Sequence, residues 1–218
     1  MMKKRLTSLA LSAMMVLSMV PATAFAAKDA GTPPTYNSAT GCYEISTPAQ
    51  LLYLAGKWKD GAPRDGHYVL TADITGVKGF KPIASKKEQG FTGTFDGQFH
   101  SIKGLRIEYE KKYAGLFGYV GNQDDQAYIK NVALLDCYVT GQQNVGALAG
   151  VNYGTITDCV VTGEVKCLDL SNSHTAGGIC GKLKEGEGPI VGHVEDCYVN
   201  ADVSAPYDAG GIAGIQDG

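Results

Sequence analysis

Short apolar segments flanked by glycine recur along the second half of the chain. They are GLFG at 115–118, GALAG at 146–150, GGICG at 177–181 and GGIAG at 210–214, and their first glycines are 31, 31 and 33 residues apart. The unit shows no strong 3.6-residue periodicity. Each segment therefore predicts a short strand bounded by sharp glycine turns.

Two further elements recur between these segments. The first is IKNV at 129–132, ITDC at 156–159 and VEDC at 194–197, and the second is marked by Val139, Val165 and Val203. Each unit is thus a short strand, a glycine turn, a short strand, an Asn or Asp turn, and a short strand. Strands of this length do not form a stable sheet alone, but units of constant length can stack into a parallel solenoid with internal apolar ladders. An antiparallel sandwich is the competing fold, and it gives no reason for the same residue types to return every 31 residues.

Residues 41–113 lead into the repeats, which occupy 114–218. Thr47 and Gln50 form a capping box with Pro48 at the first helical position, and Leu51, Leu54, Ala55 and Trp58 follow at helical spacing. This pattern predicts a helix over 48–58, which we interpret as the cover of the open N-terminal end of the solenoid. Strands are predicted at 68–70 with Ile74, at 80–83, at 91–95 and over 102–107. Polar loops at 122–127, 168–173 and 184–189 are expected to bulge outward.

The first 26 residues have the features of a secretory signal peptide. Lys3, Lys4 and Arg5 precede an apolar stretch from Leu6 to Val20, and Ala24-Phe25-Ala26 forms an A-x-A cleavage site. The stretch falls short of the roughly 20 residues that span a bilayer, and no later stretch is apolar enough. We expect cleavage after Ala26, a flexible linker at 27–40, and no transmembrane segment in the mature chain.

Composition narrows the function classes. Removing residues 1–26 leaves 192 residues with 29 glycines, 16 basic and 22 acidic side chains, and a net charge of −6. A moderately acidic chain argues against a nucleic-acid partner, and so many glycines would disfavour helices.

Several motifs in this order resemble bacterial GLUG-motif surface proteins. The lead-in FTGTFDG at 91–97, IKGL at 102–105 and GLFG at 115–118 resembles theirs, as does the start at Ile45–Leu51, while 146–159 and 177–197 resemble the GLUG repeat itself. The resemblance covers about 41–218. It implies a right-handed parallel β-helix in secreted or wall-attached proteins, some of which accompany a zinc peptidase domain of the IgA-protease type.

No residue is assigned a catalytic, cofactor-binding or metal-binding role. The histidines, His67, His100, His174 and His193, do not form H-E-x-x-H, and P-loop and G-x-S-x-G motifs are absent from the sequence. Parallel β-helices also host carbohydrate-cleaving enzymes, which need converging carboxylates. Asp158 and Asp196 share one repeat position with Asn131, and because Asn is a poor acid and a good turn former, we interpret all three as turn residues. Asp96 and the pair Asp124 and Asp125 are interpreted as surface or turn residues rather than a Ca²⁺ site. Tyr138 and Tyr198 are compatible with a sugar-binding face and equally with strand packing.

Cysteine usage follows the repeat. The chain has Cys42, Cys137, Cys159, Cys167, Cys180 and Cys197, and an even count in an exported protein is compatible with disulfides. However, Cys159 and Cys197 replace Val132, and Cys180 replaces Phe117, Ala149 and Ala213. These are apolar positions, so we predict that Cys159, Cys180 and Cys197 are buried thiols.

The sequence therefore predicts a non-catalytic extracellular repeat module of a bacterial surface or secreted protein, structural or adhesive, with a glycan or host protein as partner. A carbohydrate-active β-helix enzyme and an accessory module of a larger surface peptidase are the alternatives. The last GGIAG segment is not followed by an Asp-turn strand. We accordingly expect further C-terminal repeats or domains, or a partner that covers the last repeat.

Overall fold

A computed structural model describes residues 31–55, 62–170, 174–184 and 190–217, and the predicted signal peptide lies outside these ranges. About half of the described residues lie in strands, most of them short, which confirms the all-β prediction. One helix, α1 (Pro48–Leu54), and a 3-10 turn at Lys87–Gln89 accompany them. The strands in chain order are β1 Thr35–Asn37, β2 Cys42–Ile45, β3 His67–Leu70, β4 Ile74–Thr75, β5 Thr94–Asp96, β6 Ser101–Lys103, β7 Arg106–Ala114, β8 Phe117–Val120, β9 Tyr128–Lys130, β10 Ala133–Gly146, β11 Ala149–Asn152, β12 Thr155–Thr157, β13 Val160–Cys167, β14 Thr175–Gly177, β15 Cys180–Lys184, β16 His193–Glu195, β17 Tyr198–Ser204, β18 Asp208–Gly210 and β19 Ala213–Asp217.

The strands form three sheets in which the same element of each repeat pairs with its counterpart. The first sheet has the order β1-β2-β3-β5-β9-β12-β16 and the third has the order β19-β15-β11-β8. The second has β17-β13-β10-β14-β18 as its main path, with β6 and β7 also paired to β10 and β4 paired to β6. The described strands pair in parallel, apart from β1 and β2, which are antiparallel.

The register matches the repeat that the sequence shows. Ile129, Ile156 and Val194 pair in the first sheet, and Val139, Val165 and Val203 pair in the second. In the third sheet the aligned residues are Phe117, Ala149, Cys180 and Ala213. Because side chains on one face of a strand alternate with those on the other, this register places each apolar set on a common face.

These apolar ladders form the core. Phe95, Ile129, Ile156, Val139 and Val165 are fully buried. Their counterparts Val194 and Val203 are only half-buried, because β16 and β17 are edge strands of the described sheets.

The helix at the front of the chain packs into the same core. Leu51 and Leu54 are buried there, and Thr47 accepts a hydrogen bond from the Gln50 amide at 3.3 Å, as the capping box predicts. The predicted end at residue 58 is wrong: the helix ends at Leu54 and Ala55 has extended backbone angles. Residues 56–61, with Trp58, lie outside the described ranges.

Two other predictions at the front differ from the structure. Thr35–Asn37, placed in the flexible linker 27–40, instead pair with Cys42–Glu44 because the turn between them returns the chain antiparallel to itself. Residues 80–83 do not form the predicted strand: Ile83 makes one isolated parallel bridge with Phe117.

Candidate functional site

The repeating Asn and Asp residues lie at sharp turns. Asn131, Asp158 and Asp196 have φ values of 54°, 52° and 49°. Among residues with a side chain, Asn and Asp adopt this left-handed conformation most readily. The interpretation of these residues as turn formers is therefore confirmed.

Asp96 lies next to the turn at Asn131 and has three polar partners. Its carboxylate accepts from the Asn131 side chain at 2.9 Å and the Gln98 amide at 2.8 Å, and Lys130 Nζ lies 3.4 Å away. Burial acts to raise the pKa of Asp96, but these hydrogen bonds and the lysine charge outweigh it and hold the pKa below its ordinary value. Asp96 is thus an ionised residue that ties two successive turns together.

The pair Asp124 and Asp125 lies in a turn organised by Asn122. The Asn122 side-chain oxygen Oδ1 accepts from the backbone N–H groups of Asp124 at 2.7 Å and Asp125 at 2.8 Å, and Asn122 Nδ2 donates to the Asp125 carboxylate at 3.1 Å. Within the described ranges no cluster of three or more His, Cys, Asp or Glu side chains is arranged to hold a metal ion.

A groove of about 680 Å³ lies on the outer side of the second sheet. Strands β7 and β10 supply its floor, and the loop after β13 supplies its rim. We call it the tyrosine groove. It is lined by Glu108, Tyr109, Glu110, Tyr138, Thr140, Gly141, Gln142, Leu168, Asp169 and Leu170.

Arg106 contacts the tyrosine in the floor of the tyrosine groove. Tyr138 pairs in register with Arg106, whose guanidinium lies 4.1 Å from the centre of the tyrosine ring. Arg106 also donates to Glu108 at 2.8 Å. A smaller depression of about 430 Å³, which Arg106 also lines, shares Glu108 and Tyr109 with the groove, so the two depressions adjoin.

The rim differs from the floor because it is apolar and exposed. Leu168 is 59% exposed and Leu170 is 85% exposed, so the rim offers two neighbouring apolar side chains to a ligand. Asp169 follows Leu168 and its carboxylate lies 3.5 Å from His174. The groove therefore combines aromatic rings, exposed aliphatic side chains and carboxylates. Such a mixture is typical of binding sites.

The sequence did not identify this groove. Of its lining residues only Tyr138 was singled out, and Tyr198, the other candidate, lies outside the groove and is 61% exposed. The one available signal was the loop at 168–173, where two leucines interrupt a polar insertion.

The cysteines follow the apolar ladders. All six are free, and Cys159 and Cys180 are fully buried, as predicted. Cys197 is less buried than predicted: it is partly buried against the core, beside the edge strands β16 and β17 of the described sheets.

No helix in the described part of the chain has the length and apolar character needed to cross a membrane.

Comparison with known proteins identifies one family and several longer relatives. Residues 141–166 match the family described as the GLUG motif, which confirms the resemblance. Halomucin of Haloquadratum walsbyi is 33% identical over 142 residues, which are 58% of this chain and 2% of that protein. A protein of Evansella cellulosilytica named as a Gly-rich membrane protein is 31% identical over 130 residues, 55% of this chain and 14% of that protein.

One solved structure is similar along most of the chain. It is a Bacteroides ovatus protein that bears the name of an immunoglobulin A1 protease, with 26% identity and a TM-score of 0.66. The similarity covers 81% of this chain and 53% of that one. The chain thus spans only part of the length of each of these relatives.

Proposed function

We propose that this protein, which contains the GLUG motif at residues 141–166, is a non-catalytic extracellular repeat module of a bacterial surface or secreted protein. Its three sheets form a right-handed parallel β-helix, and the tyrosine groove on that scaffold binds glycan. The observation that supports this division is positional. The residues that recur in every unit lie in ladders and turns, whereas those lining the groove do not recur.

The β-helix is supported by the order of the strands. From β8 onward each repeat contributes strands to all three sheets, with two short strands in the second sheet in the later repeats, and equivalent strands of successive repeats pair in parallel. In such an arrangement the chain passes through all three sheets before it reaches the next repeat. Each repeat is then displaced from the previous one by one strand spacing, which is the geometry of a solenoid.

The extracellular location is supported by the export signal at 1–26 and by the names of the relatives, halomucin and a Gly-rich membrane protein. It is tested by fractionating cells that express the full sequence and by sequencing the N-terminus of the exported product. We expect Ala27 as the first residue. Retention of the full-length chain in the cytoplasm would contradict the proposal.

Glycan binding is supported by the chemistry of the groove. Sugar rings present apolar C–H faces and polar hydroxyls, and Tyr109 and Tyr138 offer aromatic surface beside carboxylate, amide and hydroxyl groups. The Arg106 guanidinium packs on the Tyr138 ring at 4.1 Å, and such a contact lowers the side-chain entropy that binding must remove.

The decisive experiment compares two tyrosines on the outer side of the second sheet. Binding of the purified protein to a bacterial and host glycan array is measured for the wild type, Tyr138→Ala and Tyr198→Ala. Tyr198 pairs with Val160 at the edge of the sheet and does not line the groove, so it serves as the matched control. Loss of binding is expected only in Tyr138→Ala. Equal effects of both variants, or no glycan bound by the wild type, would contradict the proposal.

A carbohydrate-active enzyme is the second candidate, and one observation favours it. Glu108, Glu110 and Asp169 all line the groove, and cleavage of a glycosidic bond uses a pair of carboxylates. The test is an assay of product release from the bound glycans with Glu108→Gln and Glu110→Gln. Turnover that either variant abolishes at unchanged binding would establish the enzyme.

An accessory module of a larger surface peptidase remains the third candidate. The similarity to the structure named as an immunoglobulin A1 protease supports it.

A further inference from the structure

Two cysteines on successive repeats lie one above the other. Cys197 follows Cys159 at the same turn position, and the next residues, Tyr198 and Val160, are register partners. The Tyr198 amide donates to the Cys159 carbonyl at 2.9 Å, which fixes the two turns against each other. Adjacent strands are about 4.8 Å apart, within the range of Cα separations that a disulfide spans.

The two thiols lie close together, and each is also near a different backbone carbonyl of β12. The thiols of Cys159 and Cys197 are hydrogen-bonded. Cys159 Sγ also lies 3.1 Å from the Thr157 carbonyl, and Cys197 Sγ lies 3.8 Å from the Ile156 carbonyl. A thiol has one proton, so Cys159 donates either to Thr157 or to Cys197. When Cys197 is deprotonated, the second arrangement stabilises its thiolate.

The two sulfur atoms differ in access and in acidity. Cys159 is fully buried, whereas Cys197 is only partly buried. The hydrogen bond with Cys159 lowers the pKa of Cys197, against the opposing effects of burial and of the Asp158 and Asp196 charges. The hydrogen bond with Cys197 and burial together raise the pKa of Cys159. Cys197 is therefore the better nucleophile of the pair.

We propose that Cys197 and Cys159 form a reactive dithiol site that low-molecular-weight disulfides oxidise to a cross-link between the last two repeats. Cys197 is the attacking thiol and Cys159 the resolving thiol. The inference rests on the proposed function only in that an extracellular location exposes the pair to such oxidants. In the cross-linked form the turn before β17 is covalently attached to the turn before β13.

The reaction balances as two thiol–disulfide exchanges. The Cys197 thiolate attacks one sulfur of the small disulfide, a mixed disulfide forms, and one small thiolate leaves and takes up the proton that Cys197 lost. Cys159 then attacks the Cys197 sulfur, and the second small thiolate leaves with the proton of Cys159. The protein pair is oxidised and the small disulfide is reduced to two thiols.

The experiment treats the folded, reduced protein with 2-hydroxyethyl disulfide and maps the products by peptide mass spectrometry. Cys159→Val is the informative variant because Val132 occupies the same position one repeat earlier. Cys180→Ala is the matched control, since Ala149 and Ala213 flank Cys180 in its ladder. Cys180 is fully buried and is the other thiol near Cys197.

A Cys159–Cys197 cross-link is expected in the wild type and in Cys180→Ala. In Cys159→Val the cross-link is lost and the mixed disulfide persists on Cys197. A Cys180–Cys197 cross-link, or no faster modification of Cys197 than of Cys180 in the wild type, would overturn the proposal. The wild-type result decides the matter even if a variant fails to fold. The reaction requires no glycan. Cross-linking can therefore fail while the reduced protein still binds glycan, and glycan binding can fail while cross-linking still occurs.

Discussion

Gly178 and Gly211 occupy the same position in consecutive repeats but have different surroundings. A Cβ atom on Gly178 would lie 2.1 Å from the Gly211 carbonyl oxygen and 2.6 Å from Val199 Cγ1. A Cβ on Gly211 would have no other atom within 4 Å. Neither residue has a positive φ, so a substitution at either position tests the stacking of the next strand and not the backbone conformation.

The expected magnitudes follow from these distances. The Cβ of Gly178→Ala requires the Gly211 backbone to move by about 1 Å, and overpacking in a well-packed core costs roughly 1–3 kcal/mol. The obstacle is a backbone segment, which is held in place because the Ile179 backbone N–H donates a hydrogen bond to the Ile212 carbonyl at 2.8 Å. We therefore expect Gly178→Ala to lower the free energy of unfolding by about 3 kcal/mol, the upper end of this range. Gly211→Ala should instead stabilise by about 0.5 kcal/mol, because alanine reduces the entropy of the unfolded chain.

The measurement is urea denaturation followed by circular dichroism, with thermal melts in parallel. For a chain of this size the Gly178→Ala penalty corresponds to a fall in Tm of roughly 6–12 °C. If only the last strands detach, the loss of stability appears instead as faster amide hydrogen exchange in β18 and β19. Gly178→Ala and Gly211→Ala variants that match in denaturation and in exchange would refute the stacking argument.

Three further predictions concern turns and charge. Asp158→Ala should cost about 1 kcal/mol because alanine tolerates the left-handed conformation poorly, while Asp158→Asn should change stability little, since Asn131 adopts the same φ; equal losses in the two variants in urea melts would contradict this. Gly146→Val should cost more than Asp158→Ala, because its Cβ would lie 2.2 Å from the Ala149 carbonyl oxygen and 2.5 Å from Cys180 Cα, and a smaller loss in the same melts would be incompatible with this packing. The lowered pKa of Asp96 means that its ionised form stabilises the fold at pH values above the unfolded pKa, about 3.9, and that this contribution is lost as pH falls through the folded pKa. The stability difference between wild type and Asp96→Asn should therefore shrink in melts below about pH 4, and a difference that is constant with pH would show that ionised Asp96 contributes nothing.

The sheets could be predicted from the sequence because one residue type returns to one structural position. Ile129, Ile156 and Val194 are aligned in sequence and are paired in the first sheet. Elements whose ends depend on local conformation were less predictable. The apolar spacing continues through Ala55 to Trp58, yet the helix ends at Leu54, where Ala55 becomes extended and Gly56 follows in the sequence.

Burial of the last repeat could not be inferred from the pattern either. Cys197 shares its position with Val132 and Cys159, and both of these are buried. The pattern specifies which face a side chain occupies, but burial also depends on the strand that follows. In the described sheets Cys197 lies beside edge strands, with a paired strand on one side only, so the same residue type at the same position is more exposed.

The tyrosine groove was missed for a related reason, and that reason bears on function. Positions that recur in every repeat are constrained by the identical environment above and below them, so they favour residues that stack or turn. Asn131 replacing aspartate at the Asp158 and Asp196 position shows that acidity is not what this position requires. A binding site needs a combination of side chains that occurs once, and such a combination arises where the repeat is broken. Tyr109 and Glu110 lie in the strand before the first Gly-rich segment, and Leu168 and Leu170 lie in an insertion after β13. They meet only when β7, β10 and β13 are stacked, and this juxtaposition has no signature in the spacing of residues along the chain.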